Sequence, residues 1–509
     1  MIKCNKNCRG IVLLNVMVFS AMAISVVTFF VTWASSSVKI AKSTLYKEQA
    51  LQIAEAGIDY YRWHLAHSPS DFQDGTGTSG PYTHIFNDKD GNAIGSFILT
   101  ITPPITGSTI VTIKSEGRVD AYPNVKRIVQ TKLAIPSFAK FAIVADDFMR
   151  FGAGTEVFGP IHSNKGIRFD GIAHNLITSA VSSYDDPDHC ESGHWTGPWW
   201  NQTWVCDINT NEFGVHTHVL SNGTVSNTFR ALEAPPTTPV QARTDVFITG
   251  RQFPVPPSDF TGITNDLSII KTKAQSGGKY LAPSGQIGYH IVLKVDDTYD
   301  LYKVTNLYSA SSNCSSTSSG GDSTWGTWSI QTPNGETFIG NYPNPDNGLI
   351  FVEDNVLVDG QINTARITIA AGVFPDNVNT RKSIVINKDL LYTNYNGTDV
   401  IGLIAQQDIT VGMVSEDDLR IDAALMAVNG RAGRHYYSSY CSPYHLRSLL
   451  TLYGMIGSSK RYGFAWTGSI STGYDTRTII YDANLLYGPP VSFPLTSDKY
   501  TTISWDEIE

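Results

Sequence analysis

The chain is 509 residues long, with 37 basic against 46 acidic residues, a net charge of −9, and only 16% of its residues charged. That balance argues against a nucleic-acid partner, which needs a concentrated basic face, and the length leaves room for two to four domains or one elongated repeat domain. Gly, Ser, Thr and Asn are abundant and long helical patterns are few, so the expected class is mainly β with one long N-terminal α-helix.

Residues 1–10 form a short basic leader containing Lys3, Lys6 and Arg9 and ending in Gly10. From Ile11 to Ala34 there is no charged residue. A bilayer core needs about 20 apolar residues, so this stretch can span one. From Ser43 to His67 the apolar residues Leu51, Ala54, Ile58, Tyr61 and Leu65 recur at steps of three and four, with Gln52, Glu55, Asp59 and Arg62 on the opposite face. Ser68-Pro69 supplies a stop, because a residue before proline is pushed out of the helical region. The pattern predicts one transmembrane and amphipathic helix over 11–67, roughly 85 Å long. Lys39, Lys42 and Lys47 follow the apolar run, so flanking charge orients it only weakly.

A basic leader ending in Gly, followed by an apolar helix that becomes amphipathic and carries Ala54-Glu55-Ala56-Gly57, resembles the N-terminus of type IV pilins and pseudopilins, most closely the large minor pilins of the PilX type. The resemblance implies cleavage after Gly10, a mature N-terminus at Ile11, and lateral packing of such helices with other pilin or pseudopilin subunits in a filament or at its tip. It departs at one place, where the family's usual glutamate at the fifth mature position is Asn15. The leader and apolar run also fit a plain signal anchor, and Ala34-Ser35-Ser36 offers a signal-peptidase site. Each reading exports the body, and the first two leave a single-pass membrane protein whose bulk lies at the cell surface.

Residues 68–136 read as a small antiparallel β module, with strands expected at Ile94–Thr102, Thr109–Val119 and Val125–Leu133; Val111 and Ile113 alternate with Thr112 and Lys114 as in a half-buried strand. From residue 137 very short apolar runs are cut by glycines, and Ile350–Val358, Ile384–Tyr392 and Leu403–Val411 align with one another at their apolar positions. Repeated short strands, each burying a face against its neighbours, predict a parallel β-solenoid (β-helix)-like domain over 137–181 and 348–490; a large β-sandwich is the rival. This tract also resembles β-helical segments of PilX-type and other exported surface proteins. Residues 182–347 read as an insertion of loops with a hairpin at Tyr289–Val304, and 491–509 as a C-terminal tail.

Four cysteines follow the leader: Cys190, Cys206, Cys314 and Cys441. In an exported body they suggest two disulfides, with three connectivities open. Cys190 and Cys206 flank one loop, and pairing them leaves Cys314 with Cys441. The first loop concentrates metal-ligand types: Asp185, Asp186, Asp188 and His189, with His194, His216 and His218 nearby, in a spacing that matches no zinc motif. It also holds Trp195, Trp199, Trp200 and Trp204, which fit either a surface that stacks on glycan or protein or the loop's own small core. For catalysis, Glu416, Asp417, Asp418 and Asp422, and Arg431, Arg434, His435 and Arg447, would suit a polysaccharide-active β-helix, but no nucleophile elbow, zinc-protease helix or phosphate loop accompanies them. The expectation is a structural surface protein, not an enzyme, without a cofactor. Its expected partners are the membrane and other subunits through the helix, and a glycan or protein through the head.

Overall fold

The computed structural model describes residues 8–508, apart from 106, 190–191, 201, 209–210, 221, 226–232, 234–239, 318–325, 467–470 and 487. The described chain divides into two compact units. The smaller comprises residues up to Pro103, Val111–Ala134 and Lys499–Glu509; the larger comprises Pro104–Ile110 and Ile135–Asp498. The larger is therefore inserted in the sequence of the smaller.

The smaller unit is one helix against one sheet. The helix runs unbroken over Cys8–His67, and its last four turns lie on a five-stranded antiparallel sheet formed by Tyr82–Asn87, Ala93–Thr102, Val111–Val119, Tyr122–Ala134 and Thr501–Ile508 in that order. Three of these strands lie where the alternation predicted them. The C-terminal segment, expected as a tail, instead supplies the edge strand, pairing with the strand more than 360 residues earlier in sequence. Ala50, Ile53, Ala54, Ile58, Tyr61 and Leu65 are buried against Phe97, Leu99, Val111, Ile113 and Val129, while Gln52, Glu55, Asp59 and Arg62 face outward. Period 3.6 on the helix thus meets period 2 on the strands, where Val111, Ile113, Ser115, Gly117 and Val119 point inward. Glycines set how close the two layers come: a Cβ on Gly57 would lie 2.3 Å from Ser115 Oγ, and one on Gly117 would lie 2.1 Å from the Ala50 carbonyl oxygen.

The larger unit is built on parallel ladders. Ile350, Ile369, Leu403, Leu425, Ile456, Ile143, Ile161 and Ile177 stand one above another through successive parallel pairings. Leu390, Ile421, Leu452, Ile479, Val157 and Ala173 form a second such column, and Val356, Ile384, Ile409 and Ala432 a third. All are buried in one core, and each aliphatic side chain in such a column contributes about 1.5–3 kcal/mol of transfer free energy. The two tracts on either side of the insertion join where Ile456–Ser458 pairs with Ile143–Ala145 and Arg477–Ile480 with Thr155–Phe158.

Three sequence expectations change here. The sheet is mixed, because antiparallel strands Gly288–Leu293, Thr298–Val304 and Glu336–Pro343 continue it. Those strands, and Lys279–Leu281, which pairs with Leu349–Val352 on the edge opposite Ile369, place much of 279–343 within the ladders rather than in a separate insertion. Of the aligned repeats, Ile350–Val358 and Leu403–Val411 share columns through Ile369 and Ile384, but Ile384–Tyr392 is out of register, Ile384 pairing with Val356 rather than standing in the Ile350 column. A second helix, Ile263–Gly277, was not foreseen; it buries Ile263, Leu267, Ile270 and Ala274 among residues that include Leu349, Phe351, Ala370 and Ile404, so this wall is apolar on both faces.

Candidate functional site

The first candidate site is the helix itself. Every residue from Ile11 to Lys42 is exposed, and this end of the Ile11–His67 segment is long and apolar enough to cross a membrane, with a mean hydropathy of 2.3 in its most apolar window. Three of its polar side chains are satisfied internally. Ser25, Thr28 and Thr32 donate their hydroxyls to the carbonyls of Ala21, Ile24 and Thr28, four residues back, at 2.7–2.8 Å. That is how a helix carries hydroxyls where water is absent. The expected packing residues divide at this point. Ala54, Ile58, Tyr61 and Leu65 are covered by the chain's own sheet and Leu51 is half-buried, so the part of the helix left uncovered is Ile11–Lys42, and the amphipathic stripe that follows is used within the chain. Gly10 and Ile11 lie within the helix, which among the described residues already includes Cys8.

The second candidate lies in the larger unit, at the root of the loop carrying the tryptophans. Ser183–Tyr184 pairs antiparallel with Glu212–Phe213, and Val215–His216 pairs parallel with Ile167–Arg168. These pairings bring Asp186, His216 and His218 together, each presenting a ligand atom within 4.8 Å of the other two, and all three residues are buried. His216 and His218 are two residues apart, and their ring centroids lie 5.3 Å from each other. Asp186 Oδ2 stands 3.5 Å from His216 Nε2 and 3.8 Å from Arg168 Nη1, and the Arg168 charge is met at 2.7 Å by Asp170. Burial, followed by the Arg168 charge, pushes the His218 imidazole down to about 2, so it is neutral. Burial alone would raise Asp186, but His216, the Asp188 N–H and Arg168 outweigh it and hold the carboxyl below its usual range. Burial raises Glu212, whose Oε2 accepts the Asp186 N–H at 2.9 Å and whose Oε1 meets His189 Nδ1 at 2.7 Å.

The sequence named Asp185, Asp186, Asp188 and His189 as metal candidates, and only Asp186 falls in this triad. Asp185 is exposed. Asp188 pairs with Arg461 at 2.7 Å and Arg150 at 3.4 Å. The His189 ring lies 5.0 Å from that of His218 but is held by Glu212.

From this root the chain extends as the hairpin Ser192–Thr196 with Thr203–Ile208, in which Trp195 stands opposite Trp204. Trp195, Trp199 and Trp200 are 60%, 83% and 71% exposed. These three do not form a core for their loop. Cys206 is disulfide-bonded, and its expected partner Cys190 lies outside the described residues. Cys314 and Cys441 are joined, 127 residues apart in sequence, beside the pairing of Ser316–Thr317 with Tyr436–Tyr437.

The polar residues considered for catalysis are spread through the frame. Asp422 is fully buried and accepts from the Tyr392 N–H, the Tyr395 hydroxyl and Arg420. Arg434 donates to the carbonyls of Met413, Tyr444 and His445, and Arg431 stacks on Trp466. Asp417 accepts from Ser448, and Glu416 accepts the Asp389 N–H.

Among solved structures the chain is similar to the competence-associated pilin ComZ from Thermus thermophilus, at 13% identity and a TM-score of 0.30, over 91% of this chain and 97% of that one. No family model and no curated protein matches it.

Proposed function

We propose that the chain is a membrane-inserted, pilin-like surface subunit of a type IV pilus or pseudopilus. It is a minor rather than a bulk subunit, and it carries a large extracytoplasmic solenoid-like head. The observation that carries this reading is the division of one continuous helix: Ile11–Lys42 is uncovered and carries no charge before Lys39, while one face of Ala50–Leu65 is buried on the chain's own sheet. A helix built this way has its apolar half left for lipid and for equivalent helices, and its second half fixed to a head. Small residues, Gly57 and Gly117, make that second contact tight. The parallel ladders of the larger unit support the solenoid reading of the head. Gly10 is then the cleavage point and Ile11 the first residue of the assembled subunit.

Alkaline extraction of membranes from cells producing the full chain tests the anchor. Retention in the pellet, with release when Val26 and Phe30 are both replaced by Asp, is expected, since each charge at mid-span costs about 2.5–3.5 kcal/mol. Release of the unaltered chain would refute membrane insertion.

A second reading, display of a contact surface for a glycan or protein, is favoured by the exposure of Trp195, Trp199 and Trp200 on a hairpin tip. Glycan-array binding lost on replacing Trp199 and Trp200 tests it, and binding unchanged by both replacements would refute it.

A further inference from the structure

We propose that Asp186, His216 and His218 form a binding site for one divalent transition-metal ion of the zinc type, which ties together the two ends of the loop bearing the exposed tryptophans. The three residues come from two separated segments, and each offers one ligand atom within 4.8 Å of the others. The spacing suits a metal site. Asp186 Oδ2 and His216 Nε2 are 3.5 Å apart, longer than the roughly 2.9 Å of a good hydrogen bond. Two ligands bound at about 2.0–2.1 Å in tetrahedral geometry stand about 3.4 Å apart. Asp186 Oδ2 is buried, accepts no short hydrogen bond among the described residues, and faces His216 Nε2 at ion-pair distance. An ion between them would take that oxygen as a ligand.

The donor set selects the ion class. Two imidazole nitrogens and one carboxylate oxygen suit zinc and its first-row neighbours better than calcium or magnesium, which take oxygen ligands. Three protein ligands leave a fourth position for water. The surroundings hold the ligands in place: Asp186 receives the Asp188 N–H on its other oxygen at 3.0 Å, and the Asp186 backbone is anchored by Glu212. The nearby Arg168 charge is matched by Asp170 at 2.7 Å and does not cancel the carboxylate. Asp186 lies just before the hairpin and His216 and His218 just after it, so one ion would clamp its root.

The test uses the full chain purified in detergent, stripped with chelator and then titrated with Co²⁺, whose visible absorption reports coordination, and with Zn²⁺ by calorimetry. One ion per chain, tetrahedral Co²⁺ bands displaced by Zn²⁺, and slower hydrogen exchange across 184–189 and 212–218 on loading are expected. His218→Gln and Asp186→Asn should each weaken Zn²⁺ binding by at least about 10-fold, whereas Asp185→Asn should leave it unchanged. Absence of saturable uptake by the wild-type chain would overturn the proposal, as would uptake equally strong in both variants. If either variant fails to fold, the wild-type stoichiometry and exchange data still decide.

Discussion

Replacing Gly117 by Val should separate the helix from its sheet. In the strand Val111–Val119 a Cβ at this position would lie 2.1 Å from the Ala50 carbonyl oxygen, 2.5 Å from Ala54 N and 3.1 Å from Ala54 Cα, where ordinary contact is 3.4–4 Å. These are backbone atoms of a helical turn and cannot rotate aside, so the helix must withdraw by more than about 1 Å, enough to forfeit a large part of the local dispersion energy. The withdrawal loosens Ala50, Ile53 and Ala54, each 0% exposed. Overpacking a well-filled core costs about 1–3 kcal/mol, and a rigid backbone opposite a branched side chain places this case at the upper end, about 3 kcal/mol. At 1.4 kcal/mol per tenfold, amide exchange over 111–134 should accelerate about 100-fold. Hydrogen-exchange mass spectrometry of the detergent-solubilised chain measures this. Gly152→Ala, where a Cβ meets nothing within 4 Å, is the control and should stay near wild type. Wild-type exchange across 111–134 in Gly117→Val would refute the close packing of helix on sheet.

Three further outcomes concern the larger unit. Its His290 is buried between Glu336 at 2.6 Å and Asp359 at 3.1 Å; burial alone would lower its pKa, but the two carboxylates overcome that and raise it to about 9. A raised folded pKa gives stability that is fully present below the unfolded value of about 6.5 and lost as pH rises towards about 9, at most a few kcal/mol. The urea midpoint should therefore fall between pH 6 and 9 more in wild type than in His290→Gln, and an equal or reversed trend would refute the pairing. Cys441→Ser opens a cross-link that closes a long stretch of chain and should lower stability by about 2–4 kcal/mol, read as a drop in denaturation midpoint under non-reducing conditions. Ile143→Ala removes the residue between Ile456 and Ile161 where the two tracts join; a loss of about 2–5 kcal/mol is expected, and one below 0.5 kcal/mol would contradict the buried column.

The helix was legible because two local signals, an uncharged run and a 3.6-residue stripe, need no distant partner to be read. The strands at 93–134 were legible for the same reason, since alternation such as Val111, Ile113 against Thr112, Lys114 is local. What sequence could not order was pairing between distant segments. Thr501–Ile508 carries its acids on an exposed edge and reads as a tail until Tyr122–Ala134 is placed beside it. The repeats were visible, but the walls of the ladders show similar short apolar runs, so a pattern cannot tell Ile369 from Ile384 as the partner of Ile350. The histidine triad was half legible. Asp186, His216 and His218 were all noticed, but only the pairings of Tyr184 with Glu212 and Val215 with Ile167 single them out from Asp185 and Asp188.

The measurement that bears most directly on the pilin-like reading is the intact mass and N-terminal sequence of the chain recovered from sheared surface filaments. A filament-associated chain beginning at Ile11 is the predicted result, with Gly10→Leu leaving the leader attached and the chain absent from filaments. A chain still carrying Met1, or one beginning near Ser36 and free of the membrane, would contradict it.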